Sequence, residues 1–246
     1  MATDSPDLIS SEIPFSISSS PPAMGTRFWR FSAFIMQLFL YRLLRLPAVL
    51  GLLLFLAIGP SHARANTLLV MGDSISAAYG MSLDKGWVAL LAGRMESTYP
   101  DYQVVNSSIS GETTDGALRR LDGLLQQHQP TVVLIELGGN DGLRGFPIQR
   151  FRDNLGELTR RSQAAGATVV LAAIRIPPNY GSRYTNSFHD SYALVADDTD
   201  SILAPFILEG IATDPSLMQA DGIHPTVEAQ PRLLDNLYPY IEEALQ

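Results

Sequence analysis

The chain contains no cysteine. That absence excludes disulfides, thiolate metal sites, a cysteine nucleophile and a lipid-modified cysteine anchor. Positive charge is scarce too, with 17 Lys and Arg against 25 Asp and Glu. The imbalance sharpens beyond residue 65. Residues 1–65 hold five arginines and three acids, which leaves 12 basic and 22 acidic side chains, a net charge of −10, on the remaining 181 residues. A domain so acidic is repelled by phosphate backbones, so no nucleic-acid partner is expected. Residues 66–246 show no repeat, internal linker, metal-ligand cluster or cofactor-binding loop, so neither metal nor cofactor is expected. Without disulfides the fold must rest on its core, and 181 residues are enough to build one.

Apolar runs of membrane-spanning length are missing as well. Leu46 to Ile58 falls short of the roughly 20 residues that a spanning helix needs. Its surroundings give it another meaning. Arg27, Arg30, Arg42 and Arg45 precede it, and Gly59-Pro60 and Ala63-Arg64-Ala65 follow it. A basic flank, a short apolar core and an A-x-A site describe a secretory signal peptide cut after Ala65, which makes the mature chain periplasmic or secreted. The alternative is an uncleaved anchor from Phe31 to Ile58, interrupted only by Arg42 and Arg45. Residues 1–23, rich in Ser and Pro and without apolar periodicity, read as a disordered extension, and Met24 and Met36 are alternative starts. Residues 66–246 are expected to form one domain and a monomer, touching the membrane only through the signal segment.

Strands and helices alternate along that domain. Thr67–Met71, Tyr102–Val105, Thr131–Leu137, Ala167–Ile174 and Ser201–Pro205 read as strands, the last a short edge. Helices are expected over Trp87–Ser97, Thr114–Gln127, Phe151–Ala165 with a C-cap at Gly166, Ser187–Asp197 and Thr226–Ala244. Continuous apolar strands between helices imply a three-layer α/β/α sandwich around a mostly parallel, five-stranded sheet. In a flavodoxin-like strand order, 2-1-3-4-5, ligands bind between the ends of the first and third strands. Gly72-Asp73-Ser74 follows the first strand, and Gly138-Gly139-Asn140-Asp141 follows the third.

Two readings of Ser74 stand on its own sequence. It is a helix cap, or it is a nucleophile on a sharp turn with small neighbours and a helix start behind it. A nucleophile needs a base, and beyond residue 65 only His128, His189 and His224 are available. His128 lies in a polar helix end, and His189 lies within a helix. His224 lies in Asp221-Gly222-Ile223-His224-Pro225, where the Asp three residues earlier can fold back onto Nδ1–H and free Nε2 for the serine proton. The alternative there is a turn whose Asp serves only backbone amides. Acyl transfer also needs oxyanion donors. The Ser74 and Gly111 N–H groups and the Asn140 amide could supply them, although each glycine alone also suits a turn with positive φ.

Taken in order, Gly72-Asp73-Ser74, Gly111, Gly138-x-Asn140-Asp141 and Asp221-x-x-His224 resemble the four blocks of the SGNH (GDSL-type) hydrolase superfamily, with Ile75 in the place of the family's leucine. The resemblance runs through essentially all of residues 66–246. "ELGGNDGLRGF", "PPNYGSRY" and "MQADGIHP" are most similar to the bacterial periplasmic group of acyl-CoA thioesterase I, lysophospholipase L1 and arylesterase. The resemblance implies a Ser74–His224–Asp221 triad, an oxyanion hole from Ser74, Gly111 and Asn140, and a small acyl ester, thioester or lysophospholipid as substrate. It makes Asp73 a turn-former behind the triad. Gly142 to Phe146, with a glycine near each end of an apolar and cationic tip, suits a mobile lid. Leu143, Phe146, Ile176 and Tyr180 are the candidates for an acyl pocket. Arg144 and Arg175 either pair with acids or meet a head group. A carbohydrate O-acetylesterase is the alternative within the superfamily. Outside it stand a non-catalytic binding domain and a phosphate receiver built on Asp73 and Asp141. The receiver lacks a lysine after the fourth strand, where Arg175 is the nearest cation.

Overall fold

The computed structural model describes Met36 and residues 66–246. Met36 apart, the signal segment, the alternative anchor and the disordered extension therefore fall outside the described residues. Residues 66–246 lie within one compact unit.

Five strands form a parallel sheet: β1 (Asn66–Gly72), β2 (Tyr102–Asn106), β3 (Val132–Glu136), β4 (Thr168–Ala172) and β5 (Ile202–Ala204). The order is β2-β1-β3-β4-β5. Burial along the strands explains the order. Every residue of β3 is buried, as both faces of a central parallel strand must be, whereas β2 is only partly buried and β5 spans three residues, as suits edges.

Helices cover both faces. α1 (Trp87–Thr98) packs on α6 (Gln230–Ala244). α2 (Thr114–His128), α4 (Ile148–Ala164) and α5 (Ser182–Thr199) pack in sequence on each other. The core between the layers includes Leu69, Met71, Trp87, Leu134, Phe151 and Tyr192, all essentially inaccessible.

Helix ends shift by one or two residues from the expected ones, and three helices differ by more. α4 opens at Ile148, three residues early, because Pro147 fixes φ at −55° and starts the first turn. α5 opens at Ser182, since Gly181 at φ +89° turns the chain into a polar first turn that carries no apolar period. Thr226–Ala244 divides into a 3₁₀ turn, Val227–Ala229, and α6. A short helix, α3 (Gly139–Leu143), occupies part of the expected lid.

Candidate functional site

At the carboxyl end of β1 the chain does not enter a helix. Asp73–Gly80 forms a sequence of turns, in which Ala77 N–H donates to Asp73 O at 2.9 Å and Tyr79 N–H donates to Ser74 O at 3.1 Å. Ala78 at φ +55° and Gly80 at φ +77° interrupt the winding, so the next α-helix waits until Trp87. Ser74 is therefore neither a helix cap nor backed by a helix start. It is half-buried on a turn whose neighbours Gly72, Asp73, Ile75 and Ser76 are buried.

Its hydroxyl lies 2.8 Å from Nε2 of His224. Nδ1 of the same ring lies 2.7 Å from Asp221 Oδ2. An ionised carboxylate only accepts, so Nδ1 carries the ring proton and Nε2 is left to accept from Ser74. The turn makes this possible. Asp221 Oδ1 accepts from the N–H groups of Ile223 and His224 at 2.9 and 3.0 Å, with Gly222 at φ +67°. Both readings of that turn thus hold at once, one carboxylate oxygen serving the backbone and the other the imidazole. Slight burial pushes the Asp221 carboxyl up, but the His224 N–H, the imidazole and the Ile223 N–H together outweigh it and hold it at about 2. Tyr79 braces the ring from its face, with centroids 4.2 Å apart. Gln219 ties the two loops together, donating to Tyr79 O at 2.9 Å and Pro225 O at 3.0 Å.

Asn140 stands at the start of α3 and donates to Asp73 Oδ2 at 3.2 Å, while Asp73 Oδ1 accepts from Ile75 N–H at 3.1 Å. Gly138 reaches this position at φ +123°, where a Cβ would lie 2.5 Å from the Tyr192 hydroxyl and 2.6 Å from the Phe151 ring. Gly111 stands exposed at φ +80°, and its carbonyl accepts from Arg144 at 3.1 Å.

Beneath Ser74 lies a carboxyl outside the four blocks, that of Glu136, which opens the stretch ELGGNDGLRGF but has no role assigned from the sequence. Glu136, the last residue of β3, is wholly buried. Its Oε2 accepts from Ser76 Oγ at 2.7 Å and from Asp73 N–H at 3.4 Å, and Ser76 Oγ accepts from the Trp87 indole at 3.2 Å. Oε1 has no partner. Burial, then the neighbouring Asp73 charge, pushes Glu136 well above the usual carboxylate range. Burial likewise raises Asp73 to about 6, against the pull of Ile75 N–H, His224 and Asn140. The one signal in the sequence is a lone acid within an apolar strand.

Asp141 does not fit a phosphate receiver. It is fully buried and accepts from the N–H and hydroxyl of Thr114, the first residue of α2. His128 closes α2, half-buried, and His189 on α5 lies against Ile174 O and Arg175. Arg144 and Arg175 form no ion pair with an acid among the described residues. Arg144 bonds Gly111 O, and Arg175 lies over the Phe206 ring.

The acyl-pocket candidates form one cluster. Tyr180 donates to Leu143 O at 2.9 Å, and Tyr184 donates to Phe146 O at 2.8 Å. Ile176 is buried against Gly142, where a Cβ would meet its Cγ2 at 2.5 Å. Tyr180 and Tyr184 also line a surface depression of about 500 Å³ together with Ile148, Arg183 and Ser187. Among the described residues no helix is long and apolar enough to cross a membrane.

Known proteins carry the same arrangement of chain. Esterase TesA of Pseudomonas aeruginosa is 50% identical over 184 residues, 75% of this chain and 92% of that protein. Thioesterase 1/protease 1/lysophospholipase L1 of Escherichia coli K12 is 47% identical over 173 residues, 70% of this chain and 82% of that protein. Among solved structures, the psychrotrophic esterase EstA of Pseudoalteromonas, inhibited by monoethylphosphonate, is 49% identical and superposes with a TM-score of 0.70 over 73% of this chain and 98% of its own. The model of the GDSL-like lipase/acylhydrolase family matches residues 70–230, from the middle of β1 to the first residue of α6, and this chain is a member of that family.

Proposed function

We propose that residues 66–246 form one exported domain, a serine hydrolase of carboxylic esters and thioesters of the aryl-ester, acyl-thioester and lysophospholipid kinds. The observation that carries this reading is the hydrogen-bonded sequence from Ser74 through His224 to Asp221. Ser74 Oγ attacks the substrate carbonyl as His224 Nε2 takes its proton, and Asp221 stabilises the imidazolium that results. The oxyanion meets the N–H groups of Ser74 and Gly111 and the amide of Asn140. His224 then returns the proton to the departing alcohol or thiol, leaving an acyl-Ser74 ester. Water, deprotonated by the same nitrogen, releases the acid and restores Ser74. Leu143, Phe146, Ile176 and Tyr180 are assigned to the acyl chain, and the names borne by the relatives support the substrate class. Export rests on the A-x-A site after the apolar segment, and secreted protein beginning at Asn66 is its expected product.

Ser74→Ala is expected to lower kcat on p-nitrophenyl octanoate by about 10⁴–10⁶-fold. A variant that retains the wild-type rate overturns the reading. In parallel, oxygen esters and thioesters of graded acyl length are compared with acetylated xylan. Strong preference for the polymer assigns the site to carbohydrate O-acetyl esters instead.

A further inference from the structure

Large apolar side chains left in water carry information when they gather around one opening. Among the described residues of 66–246, Tyr79, Leu83, Ile109, Tyr180, Ile223 and Val227 are such side chains, and only Leu194 on α5 stands apart from them. The six sit on four segments that border one site, Tyr79 and Leu83 sharing one and Ile223 and Val227 another. The Tyr79 ring lies on His224. Ile223 precedes His224 by one residue and Val227 follows it by three. Leu83 rises from the loop that Gln219 clamps at Tyr79. Ile109 donates its N–H to Gly72 O, two residues from Ser74 on one side and from Gly111 on the other. Tyr180 closes the ring, since it holds Leu143, whose neighbour Arg144 holds Gly111. Exposure runs from 38% for Tyr180, which also lines the surface depression, to 70% for Leu83, and the other five are raised tips.

We propose that this rim seats the enzyme on a zwitterionic lipid surface, with Ser74 facing the layer from which its substrate is drawn. The inference rests on the ester-hydrolase reading of the site. Apolar tips spread over four segments, with polar gaps such as Ser110 and Gly222 beside them, enter a fluid layer one by one and need no shape-matched partner. Charge decides the kind of layer. A domain of net charge −10 is repelled by an anionic surface and not by a zwitterionic one.

The test uses residues 66–246, whose buried core is drawn entirely from Leu68–Ala244. Cosedimentation with vesicles of dioleoylphosphatidylcholine, and with vesicles containing dioleoylphosphatidylglycerol, measures adsorption. Hydrolysis of monomeric p-nitrophenyl acetate separately reports the chemistry and the folding of each variant. The wild type is expected to adsorb, more strongly to phosphatidylcholine. The variant Leu83→Asp/Ile109→Asp/Val227→Asp is expected to lose at least about tenfold in partition while keeping acetate hydrolysis within about twofold, and Leu83→Asp alone to lose part of it. Leu194→Asp is expected to adsorb as the wild type does. No adsorption by an acetate-hydrolysing wild type overturns the proposal and leaves the ester-hydrolase reading intact. Equal adsorption by the triple variant, or equal loss in Leu194→Asp, also overturns it. An adsorbing wild type without esterase activity overturns the function proposed for the site instead.

Discussion

The side-chain amide of Asn140 donates to Asp73 Oδ2 across 3.2 Å, joining the turn after β3 to the turn after β1. One amide hydrogen is spent on Asp73, which leaves the other for the oxyanion proposed to form at Ser74. Asn140→Ala is expected to lower kcat by about 10²–10³-fold with KM little changed, as for a donor used only in the transition state. Asp73→Asn keeps the shape but weakens the anchor, and a smaller loss, about tenfold, is expected in kcat. Steady-state kinetics on p-nitrophenyl butyrate checks both, and wild-type kcat in Asn140→Ala would remove Asn140 from the oxyanion hole.

Glu136 makes stability depend on pH in a stated direction. Its folded carboxyl is raised well above the ordinary 4.5, first by burial and then by Asp73. The native state therefore holds this proton to higher pH than the unfolded chain does. The stabilisation is complete at low pH and is lost as pH climbs from the ordinary value toward the raised one. Glu136→Gln keeps an oxygen for Ser76 and removes the titration. Tm of the variant is expected to gain on that of the wild type as pH climbs from the ordinary value of 4.5 toward the raised one. A Tm difference that stays constant across this range would show that Glu136 does not titrate in this way.

Asp221 is held at about 2, so it stays ionised wherever His224 can act as a base. Asp221→Asn presents Nδ1 with a group of the wrong polarity or a weaker acceptor. The expected loss in kcat is about 10³–10⁴-fold. A variant that keeps a tenth of the activity would assign the carboxylate to the turn alone.

Gly138 has no room for a side chain, and its φ of +123° strains any other residue. Gly138→Ala must displace the Tyr192 hydroxyl or the Phe151 ring. A stability loss of about 2–4 kcal/mol is expected in urea denaturation. A loss below about 0.5 kcal/mol would mean that the aromatic cluster yields freely.

Tyr180 and Tyr184 fasten the segment Leu143–Phe146 by two of its carbonyls. Tyr184→Phe removes one bond worth about 1 kcal/mol, so amide exchange at Arg144–Phe146 is expected to quicken about fivefold. Unchanged exchange in both Tyr180→Phe and Tyr184→Phe would show that the segment is held by packing alone.

What a chain reveals in advance depends on how local its signals are. Apolar strand runs such as Val132–Ile135 name the sheet, because a parallel strand covered on both faces tolerates few polar residues. The flavodoxin-like order taken for that alternation matches the sheet. Asp221-Gly222-Ile223-His224 is legible because its bonds close within four residues. Glu136 is not, since its partners Ser76 and Asp73 come from the turn after β1, the nearer of them 60 residues away in sequence. The brace of Tyr79 on His224 has no signal at all, because it joins two loops far apart in the chain. The turn after Ser74 misleads because Ala78 takes a positive φ that its residue type does not announce. The polar start of α5 hides for a similar reason, its first turn having no apolar stripe.

Ser74 and His224 lie 150 residues apart, at opposite ends of the family domain. Every strand of the sheet lies between them or just before them. Parallel strands pair only after their crossovers are in place, so long-range contacts of this kind form late in folding. The hydrogen bond that arms the serine is thus among the contacts that require a finished sheet and a docked C-terminal loop. A nascent or unfolded chain carries the nucleophile without its base. Hydrolytic activity is consequently a report on completed folding, and its recovery on dilution from urea should trail the return of helical signal.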